Sequence, residues 1–420
     1  MTGGVLPQDT SADPSARSLS TMIKNFIILE DSSKFHFGGG QKISLEVAAI
    51  LHTKYNLLLF DCRKGTLFQD KIRPYVKEVL PLMCYGKFKP GKGHSFNIGI
   101  AELLLTMPIL LYNLMKILPY LRSREISKKN TILYATSKKS LLIAYLVHKI
   151  RGIDYVYHAH TIDNRHSPLY RLLDIPLRQA KYIICVSEAV KRNIGLPRCR
   201  LLYNPVRVSL LPVRKTLSGK EHIVVASFSS LIELKGIEYF MQSHRYLRNG
   251  KKVSYRIYGE GPMKDTLSRH ASESVVLKGF AADVNDILAK EIDITVVPSL
   301  IEESFGMIIA ESFSNGIPVI TTNIGAQAEL VDDGHVGYQV PLMDARAIAE
   351  KIDYLVEHPE VYSALSLNAR ERARSYDAAL FERKFLDLLG LDPEPAGASE
   401  RTADLSRKTT SSEHQDRLRR

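Results

Sequence analysis

Two glutamates, Glu303 and Glu311, stand eight positions apart in the run PSLIEESFGMIIAESFSNGIPVITT, residues 298–322. On one continuous helix that spacing is about two turns and about 12 Å of rise. The pair can therefore neither clamp one metal ion nor share a proton as a catalytic dyad. A loop carrying Glu303 that runs into a helix carrying Glu311 fits better. VVPS ends a strand, Ser304 is the expected N-cap, and the helix should stop at Gly316 with Pro318 beyond it. Backbone amides around Gly306 and Met307 would then face a phosphate. Glu311, whose side chain leans toward the helix N-terminus, could accept hydrogen bonds from the two vicinal hydroxyls of a ribose. Glu303 would meet a different part of the same ligand. Taken singly, each glutamate is explained as well by an ordinary exposed acid, and it is the ordered set that carries the reading.

Two more segments have chemistry in them. FSSLIELKGIEYF places Lys235 and Gly236 after the apolar run HIVVASF and at the start of a helix, where a lysine can meet a diphosphate as a point charge. FIILEDSSKFHFGGGQK places Gly38, Gly39 and Gly40 immediately before the helix ISLEVAAIL. Without a Cβ, such a loop lets amides approach a phosphate or sugar oxygen. A surface lysine and a plain connection are the bland alternatives for these two.

The elements that must hold these residues alternate short apolar runs with longer amphipathic ones, the pattern of βα units and parallel sheets. In the first half the strands are expected at 26–31, 55–62, 131–137, 154–161 and 182–187. In the second half they are expected at 222–228, 254–261, 274–280, 293–299 and 318–322. The fold class is thus α/β, with two Rossmann-like doubly wound domains whose strand C-termini face a cleft. The boundaries are a disordered leader, 1–22; a first domain, 23–207; a linker with Pro212 and Gly219, 208–220; a second domain, 221–375; a C-terminal helix crossing back to the first domain, 376–390; and a polar disordered tail, 391–420. Four cysteines, Cys62, Cys84, Cys185 and Cys199, are widely spaced without a CxxC pair, which argues for a reducing compartment and against a disulfide framework or zinc site.

Net charge is +12, and residues 71–130 hold eleven Lys or Arg against three Asp or Glu. That stretch contains the most apolar segment of the chain, Asn97 to Arg124, which Glu102, Pro108, Asn113, Lys116 and Pro119 interrupt too often for a membrane span. A soluble core helix and an interfacial helix docking on anionic lipid both fit it. Nucleic acid is disfavoured, because the charge lacks interleaved aromatics, an RNA-binding signature or zinc-finger spacing.

In combination, ESFGMIIAE, IGAQAELVDDGHVGYQV, SFSSLIELKG, YGEGP, VSEAVK and YNPV resemble the retaining, nucleotide-sugar-dependent glycosyltransferases of the two-Rossmann (GT-B) fold, the group 1 glycosyl transferases. The resemblance covers about residues 24–390. It implies that Glu311 binds the nucleotide ribose, that Glu303 binds the donor-sugar hydroxyls, and that Lys235 neutralises the diphosphate with amides at Gly39, Gly40, Gly306 and Met307. Gly261 and Phe305 join this donor set. In YHAHT the family's active-site histidine aligns better with His160 than with His158, so His160 and Glu303 are the expected catalytic residues. Many members carry an arginine about six residues before the lysine, where this chain has Ser229. Either another basic residue takes its place or diphosphate binding is weaker.

No D-x-D motif occurs, so helix N-termini and Lys235 are expected to do the work of a metal, and no metal cofactor is expected. The implied reaction transfers a hexosyl or N-acetylhexosaminyl group with retention, by front-face attack, to a saccharide or lipid-linked saccharide in surface polysaccharide assembly. The expected site of action is cytoplasmic, peripheral on the inner face of the plasma membrane. A nucleotide-sugar epimerase or hydrolase on the same fold and a non-catalytic sugar-nucleotide sensor or scaffold are the alternatives.

Overall fold

The computed structural model describes residues 23–32, 38–62, 65–83, 95–163, 168–207 and 216–391; for 95–106 and 168–172 only the helical backbone is described. The expected leader, the tail after Leu391, most of the linker and Cys84 lie outside these residues. The chain divides into two compact units. One, Ile23–Phe381, holds both sheets; the other comprises Met1–Met22 and Glu382–Arg420. The helix Ala378–Leu389 runs across that division and begins two residues after its expected start.

The first sheet contains β1 (Asn25–Glu30), β2 (Asn56–Asp61), β3 (Glu78–Pro81), β4 (Thr131–Ala135), β5 (Asp154–Ala159), β6 (Tyr182–Cys185) and β7 (Cys199–Leu201), all parallel, in the order β3-β2-β1-β4-β5-β6-β7. The second contains β8 (Ile223–Phe228), β9 (Val253–Tyr258), β10 (Val275–Gly279), β11 (Ile294–Val297), β12 (Val319–Thr322) and β13 (Gly337–Val340), also parallel, in the order β10-β9-β8-β11-β12-β13. All ten expected strands are present; β3, β7 and β13 are additional. Central strands are buried on both faces, as in Phe26, Ile27, Ile28 and Leu29 at 0–1% exposure. That two-sided burial is why their sequences read as unbroken apolar runs rather than alternating ones.

Each sheet reverses its winding once, between β1 and β4 in the first and between β8 and β11 in the second. Loops diverge at such a switch point and leave a crevice beyond the strand C-termini. Gly38–Gly40 follows β1, Lys235 follows β8 and Glu303 follows β11, so the sequence motifs fall at the two switch points.

The apolar segment forms the helix Ser95–Ser123, with Pro108 and Pro119 inside it. Leu110, Leu114, Ile117 and Leu121 are buried against the first domain, while Met107, Leu111 and Met115 stand out at 53–66% exposure. Buried Asn113 exchanges hydrogen bonds with the backbone of Met83 and ties the helix to the end of β3. Among the described residues no helix is long and apolar enough to cross a membrane. Cys62, Cys185 and Cys199 are buried.

Candidate functional site

Loop and helix divide the two-glutamate segment at Gly306. The helix Met307–Ser314 starts after Gly306, whose backbone is left-handed (φ 81°) and where a Cβ would come within 3.0 Å of Ile309 Cδ1. Glycine is needed at that turn. Gly306, not the expected Ser304, is the N-cap, and it offers no side-chain cap. Ser304 is taken up elsewhere: its hydroxyl accepts a hydrogen bond from the amide of Ile162, in the loop after β5, at 3.2 Å. Among the described residues no side chain caps the helix's first amides.

Glu303 sits in the loop and is held from three directions. Its Oε1 accepts from Lys235 Nζ at 2.5 Å and from Ser299 Oγ at 2.6 Å, and its own amide donates to Gln327 Oε1 at 2.8 Å. Gln327 Nε2 in turn donates to Ile301 O at 3.1 Å, which pins both sides of the loop to the helix Gly325–Leu330. Lys235 and Glu303 are each about one-fifth exposed, so the ion pair is a partly shielded one that a ligand can enter. Lys235 ends a short 3₁₀ turn, Glu233–Lys235, and the helix Ile237–Ser243 follows after Gly236.

Glu311 lies inside the helix at 8% exposure, and its Oε1 faces Lys42 Nζ of the first domain at 3.4 Å. The first domain supplies the opposite wall. Its helix, Gly39–Leu51, starts four residues before the expected Ile43, so Gly39 and Gly40 form its first turn and Gly38 its N-cap. The turn lies beside both the second domain and His160: a Cβ on Gly39 would be in ordinary contact with Met307 Cγ at 3.6 Å, and one on Gly40 with the His160 ring at 3.5 Å. The two helix N-termini thus face each other, and both present partial positive charge to the gap.

His160 follows β5 and its ring lies against that of His158, with centroids 4.1 Å apart and the planes tilted by 35°. His158 is fully buried, and its Nδ1 is hydrogen-bonded to the hydroxyl of Tyr134, on the neighbouring strand β4. Burial drives the His158 pKa well below the usual imidazole value and lowers that of His160 to about 4. Both rings are neutral near pH 7. The Nε2 of His160 is out of solvent and has no hydrogen-bond partner among the described residues. An unmade hydrogen bond at a buried polar atom costs about 1–3 kcal/mol, and such strain concentrates where a ligand completes the site.

Two residues of the expected donor set lie elsewhere. The Phe305 side chain is 3% exposed and packs against Tyr203 and Tyr376, with ring centroids at 6.0 and 5.6 Å. It is core, so only its backbone borders the loop. Gly261 is pressed on the backbone of Leu231, where a Cβ would meet the carbonyl oxygen at 2.4 Å. It lets the YGEGP turn brace the loop that carries Lys235. Ser229 ends at its own neighbour, its hydroxyl donating to Ser230 O at 3.3 Å.

Several residues of the site were not singled out from the sequence. Glu329, on the helix Gly325–Leu330 of the second domain, accepts from the amides of Glu188 and Ala189 at 2.9 and 3.0 Å and from Tyr203 OH at 2.9 Å. It caps a first-domain helix from across the cleft. Glu30, the last residue of β1, is 6% exposed, accepts from Ser44 Oγ at 2.8 Å, and has its pKa raised by burial to about 7. The acids closing FIILED and the lysine closing GGGQK were the visible signals for Glu30 and Lys42. The domains also join behind the cleft, where the Val206 amide donates to Tyr376 O at 2.7 Å.

Residues 213–372 match the family described as glycosyl transferases group 1. An alpha-1,3-N-acetylgalactosaminyltransferase of Campylobacter jejuni, acting on N,N'-diacetylbacillosaminyl-diphospho-undecaprenol by its name, is 22% identical over 253 residues, covering 60% of this chain and 65% of its own. WcaL of Salmonella typhimurium, whose name places it in colanic acid biosynthesis, is 25% identical over 51% of this chain and 54% of its own. The alpha-D-kanosaminyltransferase of Streptomyces kanamyceticus is 26% identical over 32% of this chain and 36% of its own. The chain spans between about a third and two thirds of the length of these relatives.

Among solved structures, Anabaena Alr3699/HepE in complex with UDP superposes with a TM-score of 0.68 at 19% identity, covering 87% of this chain and 99% of that one. TarM superposes with a TM-score of 0.68 at 13% identity, over 88% and 99%. With parallel seven- and six-stranded sheets and the E-x7-E segment at the second switch point, the chain has a two-domain GT-B fold whose residues 213–372 match the group 1 glycosyl transferases.

Proposed function

We propose that this protein is a retaining glycosyltransferase that moves a hexosyl or N-acetylhexosaminyl group from a nucleoside-diphosphate sugar to an acceptor hydroxyl, in the assembly of a lipid-linked surface polysaccharide. One juxtaposition carries the reading: Glu303 is paired with Lys235, the helix that holds Glu311 starts at Gly306 without a side-chain cap, and the turn Gly39–Gly40 lies beside both Met307 and His160, whose Nε2 has no partner among the described residues. Glu311 holds the ribose hydroxyls, Lys235 and the amides take the diphosphate, and the second oxygen of Glu303 accepts from the sugar.

In the reaction the bond from the anomeric carbon to the phosphate oxygen breaks, the acceptor oxygen bonds to the same face, and its proton passes to the leaving diphosphate. Negative charge builds on the diphosphate, so fixed donors aimed there provide most of the stabilisation. Neutral His160 donates or accepts one hydrogen bond to the reacting sugar without adding charge. We take the reaction to need no metal, the cations of the site being lysines.

A thermal-shift screen against UDP-, GDP-, ADP- and dTDP-sugars, followed by product analysis with and without saccharide acceptors, tests the proposal. One nucleotide family should stabilise the protein by about 3 kcal/mol at a hundred times its Kd, and acceptor-dependent release of the nucleoside diphosphate should follow. A sugar product without acceptor would favour the epimerase or hydrolase reading. Binding without turnover would favour the scaffold, the reading to which Ser229 points.

The lipid-linked acceptor draws support from the helix Ser95–Ser123. Met107, Leu111 and Met115 recur every fourth residue on its exposed side, within the stretch that carries eight excess positive charges. Such a face suits insertion among anionic headgroups. The protein should float with liposomes containing anionic lipid, and Leu111→Glu with Met115→Glu should leave it at the bottom of the gradient. Wild-type protein that stays in the soluble fraction would remove the membrane part of the proposal.

A further inference from the structure

We propose that Lys42 is a second diphosphate-binding cation, supplied by the first domain in place of the arginine that Ser229 does not provide. This rests on the donor reading above. A nucleoside diphosphate sugar brings two negative charges to the site, and among the described residues the second domain's ammonium paired with a donor-site carboxylate is Lys235, committed to Glu303 at 2.5 Å. Ser229 cannot help: it is uncharged, and its hydroxyl is turned to Ser230 O. Among the described residues, the other ammonium paired with a donor-site carboxylate is Lys42, 3.4 Å from Glu311 Oε1 and supplied by the first domain.

Its position favours an exchange of partners. Lys42 lies one turn inside the helix Gly39–Leu51, whose first turn touches Met307, the first residue of the helix expected to take the phosphates. Its side chain is 44% exposed, whereas that of Glu311 is 10% exposed. The ammonium therefore retains room to move while the carboxylate is fixed. When ribose hydroxyls occupy Glu311, the lysine loses its partner beside a diphosphate that lies within the sweep of its four-carbon stem. The ion pair of the empty site thus stores the cation where the ligand will need it.

Because Lys42 belongs to the first domain, charge neutralisation by it requires the two domains to be together. An arginine at position 229 would act from the donor domain by itself. The diphosphate, rather than the base or ribose, becomes the part of the donor that draws the cleft shut.

The test is a set of calorimetric titrations of full-length wild type, Lys42→Met, Lys42→Arg and Lys42→Met/Ser229→Arg with UDP, GDP, ADP and dTDP and with the matching monophosphates. For the nucleotide that wild type binds, Lys42→Met should weaken the diphosphate at least tenfold and the monophosphate less than threefold. Lys42→Arg should bind both within threefold of wild type, and Ser229→Arg should restore most of the diphosphate affinity that Lys42→Met loses. Equal losses for diphosphate and monophosphate would reduce Lys42 to a partner of Glu311 and overturn the inference, as would no loss at all. Wild type that binds none of the nucleotides would overturn the donor reading itself, and this inference with it.

Discussion

Replacing Glu311 with alanine is expected to weaken nucleotide-sugar binding by about two to three orders of magnitude. The carboxylate is nearly buried, and among the described residues its ion-pair partner is the partly exposed Lys42 at 3.4 Å. Two ribose hydroxyls donating to it would make hydrogen bonds to a charged group, each worth about 1.5–3 kcal/mol, in a site where water competes poorly. The substitution should spare the fold. The hydrogen bonds that Ser314 and Asn315 make to residue 311 end on its backbone carbonyl, at 2.8 and 2.9 Å, and survive the loss of the side chain. Calorimetry should find Glu311→Gln, which keeps shape and one acceptor, intermediate at about tenfold. Alanine binding within threefold of wild type would show that the ribose lies elsewhere.

Replacing His160 with alanine should act on turnover instead. Removal of one preorganised donor from a site of developing charge lowers kcat by about 10²–10³-fold, and affinity for the nucleoside diphosphate should hardly change. With its pKa near 4 the ring is neutral above about pH 5, so the wild-type kcat/KM profile should have no limb near pH 6.5 that His160→Ala removes. Stability carries the same signature. Unfolded His160 takes up a proton below about pH 6.5, whereas the folded ring does so only near pH 4. Its contribution is complete above pH 6.5 and is lost as pH falls from there toward 4, an effect on the order of 3 kcal/mol. Glu30, raised to about 7, works in the opposite direction, because its folded form holds a proton that the unfolded chain gives up, and stability falls as pH rises from about 4.5 to 7. Taking wild type minus His160→Ala cancels that term. A difference in denaturation midpoint that stays constant from pH 7 to pH 4.5 would contradict the buried neutral ring.

Much of this was legible in the residues because central strands and switch-point loops obey local rules. A strand covered on both faces, such as β1 or β11, must be apolar throughout, and Gly306 and Gly38–Gly40 mark where a helix begins beside a ligand. β3, β7 and β13 escaped notice for the converse reason: they lie at sheet edges, are three or four residues long, and keep Glu78, Arg200 and Gln339 among their residues. Ser304 looked like a cap because Ser before a helix usually is one, but Gly306 gave the chain a sharper start and released Ser304 to bind Ile162. Glu329 and Gln327 carry no local pattern at all, and for Lys42 only its place after GGGQ gave a signal. Their partners are more than twenty residues away, and only the assembled fold reveals them.

The helix Gly325–Leu330 reaches in two directions with residues two apart. Gln327 holds the backbone of the Glu303 loop on both sides, and Glu329 holds the first domain at Glu188, Ala189 and Tyr203. A helix this short moves as one body, so a displacement of the loop by an arriving sugar is delivered to the grip on the other domain. Thermodynamic reciprocity then requires the return path: an acceptor that shifts the first domain against Glu329 must alter the affinity of the donor loop by the same factor. On the proposed function, coupling between donor and acceptor runs through the stiffness of these six residues.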